Sequence, residues 1–202
     1  MGVKERRERQ KGHLRQEILE AAGELFAREG YDSVSMRKVA DKIEYSPTTI
    51  YLYFRDKADL LKHICDQTFV RMIERIERAA ATTADPVESL RRGCRAYIEF
   101  GVEHPHHYLS TFVVHHTEPP LCAERFEESM GARAFQTLVA GIAGAMKAGA
   151  FREMNVLEAA SSWWAMLHGI TVMLIAERRL PWLETERFID ESIDLLVRGM
   201  RK

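Results

Sequence analysis

Apolar side chains recur at helical spacing along almost the whole chain. Leu14, Ile18 and Ala22 follow one another every four residues, and Gly30 stands where a helix commonly ends in a left-handed residue. This pattern predicts a first helix over residues 12–29. No segment shows the strict apolar–polar alternation typical of a strand, so the sequence predicts an all-α fold.

Two short helices follow, and residues that cap helices mark the start of each. Ser35 precedes a predicted helix over 36–43, and Ser46 precedes one over 47–54. Pro47 occupies the first helical position of the latter, where its missing N–H has no partner to lose. The first three helices therefore have the proportions of a helix-turn-helix.

Six further helices are predicted, which gives about nine in total. The fourth begins after Asp56, the fifth at Pro86, the sixth carries Leu109 and Val113, the seventh runs from Pro120 to about Lys147, the eighth covers Val156–Glu177, and the ninth carries Ile189, Ile193, Leu196 and Met200. The eighth is apolar on every side, which predicts burial all round. We predict a helix-turn-helix domain over 1–57 and a larger helical bundle over 58–202.

Composition narrows the class of protein. The net charge is −1, but the part up to Lys57 carries +2 and the remainder −3. A basic arm at the N-terminus, typical of nucleic-acid contacts as well as of solvated tails, contains Lys4, Arg6, Arg7, Arg9, Lys11 and Arg15. The chain has neither a secretory signal nor a membrane-spanning stretch, which predicts a cytoplasmic protein without a membrane partner.

The three cysteines are odd in number, widely spaced and without a CxxC pair. This spacing argues against a disulfide framework and against a structural zinc site. We interpret Cys65, Cys94 and Cys122 as core thiols, and predict no cofactor.

The stretch Tyr45–Lys57, "YSPTTIYLYFRDK", carries the predicted binding chemistry. Ile50 and Phe54 are four residues apart and can face the core, so Tyr51 and Tyr53 cannot both point inward. A tyrosine on the outer flank can reach a phosphate with its hydroxyl, whereas the first turn of such a helix meets base edges. The predicted DNA contacts are Ser35, Arg37, Pro47, Thr48, Thr49, Tyr51, Tyr53 and Lys57, with Ser35, Arg37 and Lys57 among the phosphate contacts. An ordinary helical hairpin with surface tyrosines is the alternative.

The segment Val34–Leu61, "VSMRKVADKIEYSPTTIYLYFRDKADLL", resembles the DNA-binding segment of the tetracycline-repressor (TetR) family of bacterial regulators, and the resemblance extends back through "ILEAAGELFAREGYDSVS". It implies that Arg37, Pro47 and Thr48 lie near bases, and that the phosphate contacts are Ser35, Tyr51, Tyr53 and Lys57. Glu44 departs from the pattern, since the family usually has glycine there. A positive φ at Glu44 would cost about 1 kcal/mol, and its charge would weaken or tune DNA affinity.

The remainder resembles a subset of that family with a Trp and then His-Gly on the penultimate long helix, here Trp163 or Trp164 followed by His168-Gly169. The segment "EHPHHYLSTF" resembles the same subset. The resemblance implies a ligand-binding and dimerising module whose last two helices form a four-helix bundle with a second subunit. The surplus of apolar surface on the eighth and ninth helices agrees with a homodimer.

The function predicted is a ligand-responsive regulator, most simply a repressor that binds a palindromic operator as a dimer and is released by a small apolar or aromatic effector. The predicted effector contacts are Tyr97, Phe100, Phe112, Phe126, Met130, Trp163, Met166 and His168. Core packing is the alternative for such side chains, and His168 could instead bond a neighbouring helix.

Five histidines lie close together, His104, His106, His107, His115 and His116. Histidines at short spacing can ligate a transition metal, and Glu103 or Glu118 could complete an enzyme site. The sequence contains no nucleophile elbow, phosphate loop or HExxH motif, so no catalytic residue and no metal site are predicted. A helical adaptor that binds only protein would leave the tyrosine surface and the basic arm unexplained.

Overall fold

A computed structural model describes residues 2–113, 129–176 and 184–201. Within these ranges the chain is helical and contains no strand beyond one isolated bridge, which confirms the all-α prediction. The helices in these ranges are α1 Val3–Glu29, α2 Met36–Lys42, α3 Pro47–Tyr51, α4 Lys57–Ala80, α5 Pro86–Glu103, α6 Pro105–Phe112, α7 Met130–Lys147, α8 Val156–Ile175 and α9 Thr185–Met200.

The described residues form two compact units. Residues 2–68 together with 106–113 make up the N-terminal unit, and residues 69–105, 129–176 and 184–201 make up the C-terminal unit. The division falls within α4, which contributes its first half to one unit and its second half to the other.

The N-terminal unit has a core of its own. Ile18 and Phe26 of α1, Ile50 of α3 and Ile64 of α4 are each 0% exposed. Burial of an aliphatic or aromatic side chain of this size stabilises a fold by roughly 1.5–3 kcal/mol. In the same unit the hydroxyl of Ser110 is buried and donates to the carbonyl oxygen of Gly23 at 2.9 Å, so α6 is bonded to α1.

Helix α1 begins nine residues earlier than predicted, at Val3 instead of Gly12. Its first turns are rich in Glu, Arg, Lys and Gln, which have high helix propensity, and the Gly2 amide donates to the Glu5 carboxylate at 3.1 Å. Residues 5–12 are exposed. They carry no apolar stripe, so hydrophobic periodicity could not reveal them.

Helix α5 is at the centre of the C-terminal unit and packs against α7, α8 and α9. Charged side chains reinforce the packing of α5 on α9. Arg95 donates to Glu186 at 2.7 Å and also to Asp190, while Arg91 pairs with Asp194.

Three other predicted elements also differ from the structure. Helix α3 ends at Tyr51, not at Phe54, and α7 begins at Met130, because Ser129 has an extended backbone and accepts the Ala132 N–H at 3.0 Å as its N-cap. The predicted residues 120–128 of that helix lie outside the described residues. Helix α8 is not buried all round, since Trp164 is 39% exposed and Met166 42% exposed.

Two of the three cysteines lie in the described residues. Cys65 and Cys94 are both buried, as predicted for core thiols, and Cys122 lies outside the described residues. Burial raises the pKa of the Cys94 thiol to about 12, so this thiol is protonated at neutral pH and unreactive.

Candidate nucleic-acid interface

The serines predicted to cap the two short helices do so. The Ser35 hydroxyl accepts the Lys38 N–H at 3.2 Å and begins α2, and the Ser46 hydroxyl accepts the Thr49 N–H at 3.2 Å and begins α3. Pro47 is the first residue of α3. Local sequence therefore determines where each helix starts.

Helix α3 has a buried face and an exposed face. Ile50 is 0% exposed and Phe54, just beyond the helix, is 1% exposed. On the other side Thr48 is exposed and the Tyr51 side chain is 54% exposed. The helix thus presents its polar side to solvent while its apolar side holds it on the core.

The other predicted contacts belong to the same unit and differ in exposure. Ser35 and Arg37 are exposed, with 82% of the Arg37 side chain accessible, although its guanidinium is only 4.0 Å from Asp41. The predicted contacts that are half-buried are Pro47, Thr49, Tyr53 and Lys57. Exposed hydroxyls, a guanidinium and short apolar groups on α2 and α3 can meet the phosphates and base edges of a DNA major groove.

Lys57 makes contacts within the protein that the sequence did not indicate. Its ammonium donates to the Tyr31 carbonyl oxygen at 2.8 Å and lies 4.0 Å from the centre of the Tyr31 ring. The start of α4 is therefore held on the loop between α1 and α2. The predicted phosphate contact of Lys57 stays a prediction.

Two further lysines tie α2 to α1. Lys42 pairs with Glu24 at 3.0 Å, and Lys38 pairs with Glu29. The hydrogen bond from Lys42 lowers the pKa of the Glu24 carboxyl. Since these ammonium groups are engaged with α1, the positive charge available on α2 is mainly that of Arg37.

Glu44, in the turn between α2 and α3, has a φ of 60° and is the one non-glycine residue with positive φ in the described residues. A side chain in this left-handed region costs about 1 kcal/mol. The resemblance implies that the TetR family usually has glycine at this position. The positive φ explains this preference, because glycine adopts it without strain.

We expect Glu44→Gly to raise the free energy of unfolding by up to about 1 kcal/mol, because glycine adopts positive φ without strain. Urea denaturation of both proteins measures this difference. Glu44→Ala is the matched control, since it removes the carboxylate but retains the strained Cβ. An unfolding midpoint of Glu44→Gly below that of the wild type would contradict the assignment of strain.

The predicted effector contacts of the C-terminal unit lie mainly in its core. Tyr97 is 6%, Phe100 3% and Trp163 2% exposed, whereas Met166 is 42% exposed. A cavity of about 490 Å³ in this unit contains none of the predicted contacts and is lined by Asp85, Val87, Glu88, Arg91, Ala150 and Arg201.

The remaining predicted effector contacts are dispersed. Phe112 is half-buried in the N-terminal unit, with its ring 4.7 Å from that of Tyr108, and Met130 is the half-buried first residue of α7. Phe126 lies outside the described residues. The roles of all these side chains in ligand binding stay predictions.

His168 stacks on Trp164 one turn earlier in α8, with the ring centres 5.3 Å apart. Burial lowers the pKa of its imidazole, so His168 is neutral at physiological pH. A neutral imidazole offers one donor and one acceptor, as a ligand or a neighbouring helix would require.

Within the described residues no group of three or more His, Cys, Asp or Glu side chains is arranged to hold a metal. His115, His116 and Glu118 of the histidine-rich segment lie outside those residues. None of the helices in the described ranges is long and apolar enough to cross a membrane.

Sequence reasoning missed the apolar part of the exposed surface around α3. Leu52 is 78% exposed and Tyr45 is 43% exposed. The sequence does contain a signal for the exposure of Leu52. It lies four residues after Thr48, and residues with this spacing share a helical face.

Two family models match the chain. The model described as bacterial regulatory proteins of the tetR family matches residues 18–64, and the model described as the tetracyclin repressor-like C-terminal domain matches residues 90–200. The first match contains α2 and α3, and the second contains most of the C-terminal unit.

A curated relative is the HTH-type transcriptional repressor KstR of Mycobacterium tuberculosis, 33% identical over 90 residues, which are 45% of this chain and 39% of that protein. The chain spans 39% of the length of this relative, and 41% and 51% of the length of two further curated relatives. These alignments therefore compare part of each protein.

Two solved structures resemble the chain over nearly its whole length. The TetR family transcriptional regulator PfmR of Thermus thermophilus has a TM-score of 0.75 and 25% identity, and covers 92% of this chain and 99% of its own. AibR in complex with isovaleryl coenzyme A and operator DNA has a TM-score of 0.77 and 22% identity. This match covers 91% of the present chain and 97% of the AibR chain.

Proposed function

The chain belongs to the tetracycline-repressor (TetR) family of bacterial regulatory proteins, and on that premise we propose that it is a ligand-responsive transcriptional repressor. It binds a palindromic operator as a homodimer through α3, and an apolar effector releases it. The observation that carries this proposal is the exposed face of α3, where Thr48 and Tyr51 stand outward while Ile50 is fully buried.

The exposure of that face supports the DNA contacts that we propose. Thr48 and Pro47 at the start of α3 meet base edges, and Tyr51 with Tyr53 and Arg37 holds phosphates. The basic first turns of α1 add charge near the duplex, which strengthens binding of any sequence at low salt.

Dimerisation is supported by apolar side chains that a single chain leaves exposed on α8. Leu157, Trp164 and Met166 are 52%, 39% and 42% exposed, and the small Ala165 and Gly169 between and beyond them are also exposed. A second copy packed on α8 would bury this surface. Two copies of α3 can then meet successive major grooves, about 34–36 Å apart, which requires a palindrome.

We propose that the effector has an apolar acyl group. The related structure AibR is bound to isovaleryl coenzyme A, and the large aromatic side chains of α5 and α8 suit an apolar chain better than a charged solute. The presence of Trp163, Trp164 and His168-Gly169 on α8 supports placing the chain in the subset of the family with this motif.

Release follows if effector and operator favour different conformations. Binding of one then weakens binding of the other by the same factor. Helix α4 is continuous from Lys57 to Ala80, so a change that the effector imposes on the second half of this helix reaches Lys57, which is bonded to Tyr31.

We expect the purified protein to bind DNA from upstream of its own gene in a mobility-shift assay, with affinity that falls steeply as salt is raised. Isovaleryl and long-chain acyl coenzyme A are then added to the complex, with free coenzyme A as the control. Release by an acyl derivative but not by coenzyme A supports both the function and the effector class.

Binding that is unaffected by any acyl derivative would retain the DNA function and reject the acyl effector. Absence of binding at low salt, from a folded dimer, would reject the repressor and favour a helical ligand- or protein-binding module without a DNA function.

A further inference from the structure

The side chain of Leu52 is 78% exposed, more than any other large apolar side chain in the described part of the chain. Ten such side chains are exposed in those residues, and three of them lie within the eight residues 45–52, namely Tyr45, Tyr51 and Leu52. Single exposed apolar residues are common on protein surfaces. Their concentration beside α3 is therefore more informative than the exposure of one leucine.

Leu52 points in the same direction as Thr48. Its backbone is helical, with φ −71° and ψ −18°, and its N–H donates to the Thr49 carbonyl oxygen at 3.2 Å. Residues four apart on a helical path share a face, and Thr48 is exposed while Ile50, on the opposite side, is fully buried. Leu52 thus extends the exposed face of α3 by one turn.

The apolar side chain of Leu52 determines which group on DNA it can contact. It has neither a donor nor an acceptor, so it cannot hold a phosphate as a tyrosine hydroxyl does. In the major groove the apolar group on a base edge is the 5-methyl group of thymine. We propose that Leu52 is a specificity-determining residue that recognises one thymine in each half-site through that methyl group. This inference rests on the proposed DNA-binding function.

The test deletes the methyl group from the DNA. The probe is the tightest duplex that the wild-type protein selects from a random pool, and symmetric pairs of thymines are replaced one pair at a time by deoxyuridine. Deoxyuridine pairs as thymine does and lacks only the methyl group. We expect the wild type to lose about 5- to 15-fold in affinity at one pair, the effect of two apolar groups left unburied.

Substitutions of Leu52 and Thr48 test which side chain contacts the methyl group. Leu52→Ala is expected to bind the thymine and deoxyuridine duplexes equally, and Leu52→Met to retain the preference. Thr48→Ala is the matched control, because its methyl group is the competing partner on the same face. Since Leu52 is exposed, thermal melts of its variants should coincide with that of the wild type.

Three outcomes would overturn the inference. Loss of the methyl preference in Thr48→Ala rather than in Leu52→Ala would assign the contact to Thr48. A wild-type protein indifferent to every deoxyuridine substitution would have no such contact. Failure to select any duplex at low salt would reject the proposed function itself. This result differs from failure of the Leu52 contact alone, in which the protein still binds a selected duplex but does not distinguish thymine from deoxyuridine.

Discussion

Trp163→Ala is expected to lower the free energy of unfolding by about 3–5 kcal/mol, a large part of the roughly 5–15 kcal/mol that stabilises a typical domain. The indole is 2% exposed in α8, and its ring centre lies 6.1 Å from that of Phe151. Removing it leaves a cavity in the core of the C-terminal unit, beside Phe151. Urea or thermal unfolding followed by circular dichroism measures the loss.

The adjacent tryptophan is the matched control for this experiment. Trp164 is 39% exposed on the apolar face of α8, so Trp164→Ala removes the same side chain from the surface. We expect it to lower subunit stability far less and to raise the dissociation constant of the dimer, measured by sedimentation. A larger stability loss in Trp164→Ala than in Trp163→Ala would contradict the assigned burial.

The helix-turn-helix could be predicted because its signals are local. Ser35, Ser46 and Pro47 each act within three residues of their own position, through a cap or a fixed φ. The buried face of this segment could be predicted equally well, because Ile50 and Phe54 lie one helical turn apart. Local rules of this kind need no knowledge of the rest of the chain.

Other features depended on contacts that are distant in sequence. The bond from Lys57 to Tyr31 spans 26 positions, and the bond from Ser110 to Gly23 spans 87. Neither pair has a spacing that a sequence pattern could reveal. The interior positions of Tyr97 and Trp163 were predictable from their type, but whether they line a pocket depends on how whole helices pack.

The burial of α8 was predicted wrongly for a physical reason. The hydrophobic pattern of a helix predicts how much of its surface is buried. It does not predict whether the same chain or a second chain buries that surface. A helix that is apolar on every side can be buried within its own chain or partly against another chain. The exposure of Leu157, Trp164 and Met166 in a single chain is what the second case requires.

Replacing Tyr51 and Tyr53 together by phenylalanine is expected to weaken operator binding by about 10- to 100-fold. Each substitution keeps the ring and deletes one hydroxyl. A hydrogen bond to a charged group contributes roughly 1.5–3 kcal/mol in the best geometry and less on an exposed surface. A dimer loses four hydroxyls. Fluorescence anisotropy at fixed salt measures the change in the dissociation constant.

The pattern of loss identifies the role. A phosphate contact carries no sequence information, so the double variant should lose affinity for operator and for unrelated DNA by similar factors. Because tyrosine is uncharged, the slope of log affinity against log salt should stay as in the wild type, whereas Arg37→Met should reduce it by about one per subunit.

Tyr45→Phe is the matched control for the double variant, since Tyr45 is 43% exposed in the same unit and is not a predicted contact. It should bind the operator as the wild type does. Equal losses in Tyr45→Phe and in the double variant would mean that the hydroxyls of the exposed tyrosines act without distinction, and the assignment of Tyr51 and Tyr53 as phosphate contacts would be wrong. A loss confined to the operator would instead make these tyrosines readers of bases.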